Sequence, residues 1–263
     1  MKKYLCLALA MLMMVALFAG CGGQKSDNTF TVGFDAAFPP YGYMDENGDY
    51  VGFDLDLAAE VAKRNNWELN LKPIDWNAKD MELDSGAIDC IWNGFTINGR
   101  EDNYTWSMPY VDNSQVIVVK KDSGITALDN LAGKIVVVQT ESSAEAALTA
   151  EEDNDKNLAL AASFKKLDRV PDYNTAFMKL ESGAADAVAM DVGVANYQVK
   201  NRGDAFVILE ETISEEQYGV GFKKGNTELR DKVEATLQEM VNDGTFAAIA
   251  EEWGLTDAIC LGK

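Results

Sequence analysis

Short alternating runs, each followed by helically spaced apolar positions, set the layout of this chain. Phe30-Thr31-Val32-Gly33-Phe34 alternates with period two, the pattern of a strand with a buried face. Pro39 and Pro40 stiffen the turn after it and hold Phe38 and Tyr41 at the strand's carboxyl end. Asp45-Glu46-Asn47-Gly48 reads as a turn. Beyond it Leu55, Ala58, Val61 and Ala62 share one face of a helix and Glu60, Lys63 and Arg64 the other, with Asp54 as the expected cap. A returning strand is expected at residues 69–74.

The stretch that follows occurs twice. DWNAKDMELDSGAID at residues 75–89 returns 97 positions later as DYNTAFMKLESGAAD at residues 172–186, with eight of the fifteen residues identical and Tyr173 in place of Trp76. Each copy reads as an aromatic turn, a helix stopped by Ser-Gly-Ala, and an apolar strand, because glycine just past the last helical residue is an ordinary helix end. The strands run out at Ile91-Trp92-Asn93-Gly94 and Val188-Ala189-Met190-Asp191, so Gly94 and Asp191 are repeat-equivalent. Ligands collect outside the carboxyl ends of strands in open α/β sheets. Two such units facing each other place two half-sites across one cleft, and two α/β domains are expected from 263 residues.

Composition changes this picture at the N-terminus and in charge. Residues 1–20 hold Lys2, Lys3, no acid and an apolar run over residues 4–19, which describes an export signal and falls short of a comfortable membrane span. Phe18-Ala19-Gly20-Cys21 resembles the bacterial lipoprotein processing box, with Phe18 where leucine is usual; this implies lipidation at Cys21 and a tether over residues 21–28. Without the signal, 21 basic residues face 43 acidic ones, a net charge of −22 that argues against nucleic acid and anionic lipid as partners. The chain has no histidine, which excludes a Ser-His-Asp triad and a Cys-His nucleophile and speaks against a catalytic zinc. Cys90 and Cys260 are left as either a disulfide or two thiols.

Gly52-Phe53-Asp54-Leu55-Asp56-Leu57, followed after three positions by Val61-Ala62, resembles the signature of the family 3 extracellular solute-binding proteins, the polar amino acid receptors of ABC importers. DAAFPPYGY, TINGR, SMPYVDNSQVIVVKK, GKIVVVQTESSAE and NDGTFAAIAEEWG extend the likeness over residues 30–254. The resemblance implies a periplasmic-binding-protein-like type II fold: two α/β lobes joined by crossing segments near residues 115–121 and 217–222. Lobe 1 is expected at residues 29–116 and 220–263 and lobe 2 at residues 117–219.

By the same resemblance the ligand is a free amino acid, bound without a cofactor by a monomer that hands it to membrane permease subunits. Arg100 would grip the carboxylate through two parallel hydrogen bonds, although TINGR is one residue shorter than the usual spacing. Asp191 would pair with the ammonium from the opposite lobe. Thr96, Asn93 and Gly94 supply polar contacts, Asn93 standing where serine is commoner. Ser142 and Ser143 open a helix, with Ser142 and Glu145 also forming a capping box, and Glu141 replaces a usual glycine. Phe38 and Trp76 sandwich the ligand side chain, and Asp35 lies within reach of a basic one. Two rival functions use the same kind of cleft. A dehydratase of prephenate or arogenate on the same fold would need a catalytic acid beside Arg100 and no ammonium-binding Asp191. A signalling receptor module would need a membrane or kinase segment after the cleft domain.

Overall fold

In the computed structural model, which describes residues 28–151 and 155–263, the first alternating run forms β1 (Thr29–Phe34). The export signal, Cys21 and nearly all of the tether lie outside the described residues. β1 is buried from its second residue onward because it is an interior strand, hydrogen-bonded on both sides to strands from later in the chain. The proline turn leads into a small sheet of β2 (Ala37–Phe38), β3 (Gly42–Met44) and β4 (Tyr50–Val51).

α1 (Phe53–Arg64) buries Leu55, Ala58, Val61 and Ala62, as their spacing predicts. On its outer side Glu60 holds Lys63 and Arg64, and Arg64 reaches Asp243 at 2.7 Å. The expected cap is a correction: Gly52 occupies the cap position, and Asp54 turns its carboxylate into the interior. β5 (Glu68–Pro73), α2 (Lys79–Asp84), β6 (Cys90–Ile91) and β7 (Thr105–Trp106) follow.

A second sheet is built on the long β8 (Val111–Lys120). Its other members are β9 (Ile135–Gln139), then, after α3 (Ser143–Thr149) and α4 (Asp155–Ser163), β10 (Lys166–Val170). α5 (Tyr173–Ser182), β11 (Ala187–Asp191), α6 (Val192–Asn201), β12 (Phe206–Ile208) and β13 (Ser214–Tyr218) complete it. The order is β10-β9-β11-β8-β12, with β13 also paired to β8. β14 (Gly221–Phe222) then rejoins the first sheet, whose order is β5-β1-β6-β14-β7. α7 (Thr227–Asp243) and α8 (Thr245–Glu252) pack on α1, so the end of the chain belongs with its beginning. The chain thus changes sheets between Trp106 and Val111 and returns between Tyr218 and Gly221, giving a two-lobed α/β architecture.

The repeat is visible in three dimensions. Asp89 accepts the N–H of Thr31 on β1 at 2.7 Å, and its equivalent Asp186 accepts that of Ile135 on β9 at 2.8 Å. Asp75 and Asp172 each cap the turn or helix after them, and Gly86 and Gly183 take left-handed φ of 75° and 77° where the helices stop. The same short code therefore builds the strand-helix-strand unit in each lobe.

Candidate functional site

The carboxyl ends of the two sheets face a shared cavity between the lobes. Asp35, Phe38, Trp76, Asn93, Gly94, Thr96, Ser142, Ser143 and Asp191 line it, together with Phe95 and Gln139, which the sequence did not single out. Arg100 lies just outside, in an adjoining pocket that shares Ser143 with the cavity.

On the first lobe the site is a loop held by buried acceptors. Gly94 donates its N–H to Asp54 Oδ2 at 2.5 Å. This is the task that draws Asp54 away from capping α1, and burial pushes its carboxyl up to about 7 against the opposing hydrogen bonds from Gly94 and Tyr110. Gly94 itself sits at φ 56°, and a Cβ there would meet the Phe38 ring at 2.8 Å and the Tyr218 ring at 3.0 Å. Asn93 Oδ1 accepts the N–H of Asp35 at 2.7 Å, so this side chain ties the loop to the end of β1. Asp35 accepts from the Ala37 N–H at 2.8 Å and, across the cleft, from Gln139 Nε2 at 2.7 Å; burial raises its carboxyl above the ordinary range.

The lobes touch through polar side chains of the site. Arg100 donates through Nη1 to Ser143 Oγ at 2.9 Å and through Nη2 to the Glu141 carbonyl at 3.2 Å, while its guanidinium lies 5.3 Å from the Phe95 ring. Trp76 Nε1 donates to the same Glu141 carbonyl at 3.2 Å. Phe38 and Tyr173 face each other with ring centroids 5.9 Å apart.

Glu141 has φ 61°, the left-handed conformation that explains why glycine suits this position. Ser142 Oγ caps α3 by accepting the Glu145 N–H at 3.1 Å. The capping box is altered, however: Glu145 reaches past Ser142 and accepts the N–H of Glu141 at 2.8 Å, because the left-handed turn swings that donor toward it.

Asp191 ends β11 and is 3% exposed. Its Oδ1 accepts from Asn113 Nδ2 at 2.9 Å, Gln115 Nε2 at 2.7 Å and the Tyr218 hydroxyl at 2.6 Å; Oδ2 accepts from the Tyr173 hydroxyl at 3.3 Å. Burial raises its carboxyl, and among the described residues no Lys or Arg forms an ion pair with it. Sequence reasoning missed Glu216 on β13. Its carboxylate is 7% exposed, accepts from Thr96 Oγ1 at 2.7 Å, and is pushed up to about 7 by burial and by Asp191. The available signal was period two: Tyr218 faces inward, so Glu216 does too.

Cys90 is buried in β6, Cys260 is half-buried near the C-terminus, and both are thiols. Burial and the neighbouring Asp112 push the Cys260 thiol up to about 11. Among the described residues no helix is long and apolar enough to cross a membrane, and no group of three His, Cys, Asp or Glu side chains forms a metal site.

Residues 30–256 match the family described as bacterial extracellular solute-binding proteins, family 3. The L-cystine-binding protein TcyJ of Escherichia coli K12 is 31% identical over 260 residues, covering 94% of each chain. The arginine-binding extracellular protein ArtP of Bacillus subtilis is 31% identical, covering 96% of this chain and 98% of its own. A crystal structure of an ABC uptake transporter substrate-binding protein from Streptococcus pneumoniae with bound histidine superimposes with a TM-score of 0.80 at 32% identity, covering 86% of this chain and 92% of that one. These relatives are named as binding proteins rather than enzymes, and the chain belongs to the bacterial extracellular solute-binding proteins of family 3.

Proposed function

We propose that this protein captures a free amino acid between its lobes and delivers it to the membrane subunits of an ABC importer, held at the outer face of the membrane by a lipid on Cys21. The observation that carries the reading is Asp191: a buried carboxylate on the cavity wall with no cationic side chain paired to it among the described residues. Such a group is costly unless a cation arrives from outside the protein. An α-ammonium supplies that cation, and Arg100 lies close enough to Ser143 at the cavity edge to take the carboxylate of the same molecule. Phe38 and Trp76 offer flat apolar faces to its side chain. In this reading β8 and β13 act as the hinge, and the bonds that Arg100 and Trp76 make to Glu141 and Ser143 are contacts of the closed arrangement.

Titration calorimetry tests this on a chain beginning at residue 22, refolded to remove bound solute, against the common L-amino acids and L-cystine. One chemical subset is expected to bind at micromolar or tighter affinity, and Arg100→Ala to weaken it at least about 30-fold, the loss expected when one partner of a buried charge pair is removed. No heat from any amino acid, or binding untouched by Arg100→Ala, would overturn the assignment.

A further inference from the structure

Beside Asp191 lies a second buried acid for which packing alone gives no reason. β11 and β13 flank β8, and their registers place Asp191 opposite Gln115 and Glu216 opposite Asn113. Asn113 and Gln115, two apart on β8, point to the same face. Each amide has two N–H bonds, and each divides them between the two acids. Asn113 Nδ2 is 2.9 Å from Asp191 Oδ1 and 2.7 Å from Glu216 Oε1; Gln115 Nε2 is 2.7 Å and 2.8 Å from the same two oxygens. With their hydrogens committed, both amides leave their oxygens buried and unpartnered.

Thr96 completes the arrangement. Its single hydroxyl hydrogen goes to Glu216 Oε1 at 2.7 Å, so the lone pairs of this cavity-lining oxygen are open to accept. The hydroxyls of Tyr218 and Tyr173 are likewise given to Asp191. Every side-chain hydrogen in the cluster is committed inward. A group that binds here must bring its own, and an ammonium brings three.

We propose that Glu216 is the second carboxylate of the ammonium subsite, a positioning residue that turns Thr96, Asn113 and Gln115 so that the subsite presents acceptors and two negative charges to the ligand's nitrogen. This rests on the reading that Asp191 takes the α-ammonium. A neutral glutamine at position 216 would accept the same bonds through its oxygen, so the charge on Glu216 serves the bound amine rather than the fold. The surrounding titratable and charged groups are Asp191 on β11, Tyr218 and the neighbouring Glu215 on β13, Asp112 on β8, Tyr173 on α5, Tyr41 before α1, and Arg100 across the adjoining pocket. Burial holds Glu216 up to about 7, so near neutral pH the free cluster retains a proton that the incoming ammonium displaces.

The test is calorimetry on wild type and Glu216→Gln across about pH 5.5 to pH 8.5, in two buffers of different ionisation heat. The probes are the L-amino acid panel and, for the tightest binder, the 2-hydroxy acid of the same side chain. Wild type is expected to gain about tenfold in affinity for the amino acid over this range, one unit of linked titration, and to release protons on binding near neutral pH. Glu216→Gln should bind the amino acid about tenfold or more weakly at the alkaline end, release fewer protons than wild type, hold the 2-hydroxy acid at least as well as wild type, and melt no lower. Unchanged affinity and pH profile in Glu216→Gln would overturn the proposal. So would equal losses for amine and hydroxy acid together with a lower melting temperature, which would mark a structural role. Silence of the wild type toward every amino acid would bring down the functional reading and this inference with it, whereas normal binding that ignores Glu216→Gln brings down the inference alone.

Discussion

Gly94 shows how narrowly a binding loop is specified. It combines a left-handed φ of 56°, a hydrogen bond to the buried Asp54, and no room for a Cβ between Phe38 and Tyr218. Gly94→Ala is therefore expected to lower stability by about 2 kcal/mol or more, from left-handed strain plus overpacking. It should also weaken ligand binding, since the displaced rings border the cavity. Chemical denaturation alongside calorimetry checks both, and a variant with wild-type values in each would show that the loop is loose. Most of the residues at this cavity were legible in the sequence because they stand at the ends of recognisable strands. Asp54 was misread, since a helix-start aspartate looks the same whether it caps its own helix or binds a loop forty residues away. Glu216 was missed because only its period-two relation to Tyr218 sets it apart from Glu215, and which face of that strand turns inward is decided by the packing of the sheet.

Among elements, the repeat carries the most information. Each copy ends in an aspartate that fastens the start of its strand to the neighbouring strand: Asp89 to Thr31 on β1, Asp186 to Ile135 on β9. Asp186→Ala leaves a strand N–H without that acceptor, and the expected cost is about 1–3 kcal/mol. Hydrogen exchange should show the Ile135 amide opening faster while the amides of β1 keep their protection; equal loosening of both sheets would contradict the assignment of one latch to each lobe. The copies differ where function differs. Trp76 lines the cavity and reaches Glu141, whereas Tyr173 is buried and gives its hydroxyl to Asp191.

For the molecule as a whole, burying acids at the lobe junction has a consequence for stability. The carboxyls of Asp54 and Glu216 are both raised to about 7 in the folded chain, against about 4 when unfolded. Between those values the folded state binds more protons than the unfolded one, so these groups make stability fall as pH rises through that window and level off above about 7. The urea midpoint of ligand-free protein should therefore be higher near pH 5 than near pH 7.5, and Asp54→Asn combined with Glu216→Gln should flatten the difference. A midpoint that rises over this range and is unmoved by the double variant would rule out the raised carboxyls.

Local pattern by itself determined the α/β class, the paired strand-helix-strand units and the cleft-facing strand ends, because period, glycine stops and an internal repeat act over a few residues and survive in one dimension. Tertiary structure decided what each polar side chain binds. Asp54 serves Gly94, and Glu216 joins Asp191 only because β11, β8 and β13 lie side by side in one register. Hydrogen-bond partners are fixed by distances of about 3 Å between segments tens to more than a hundred residues apart, and no local spacing encodes such a distance.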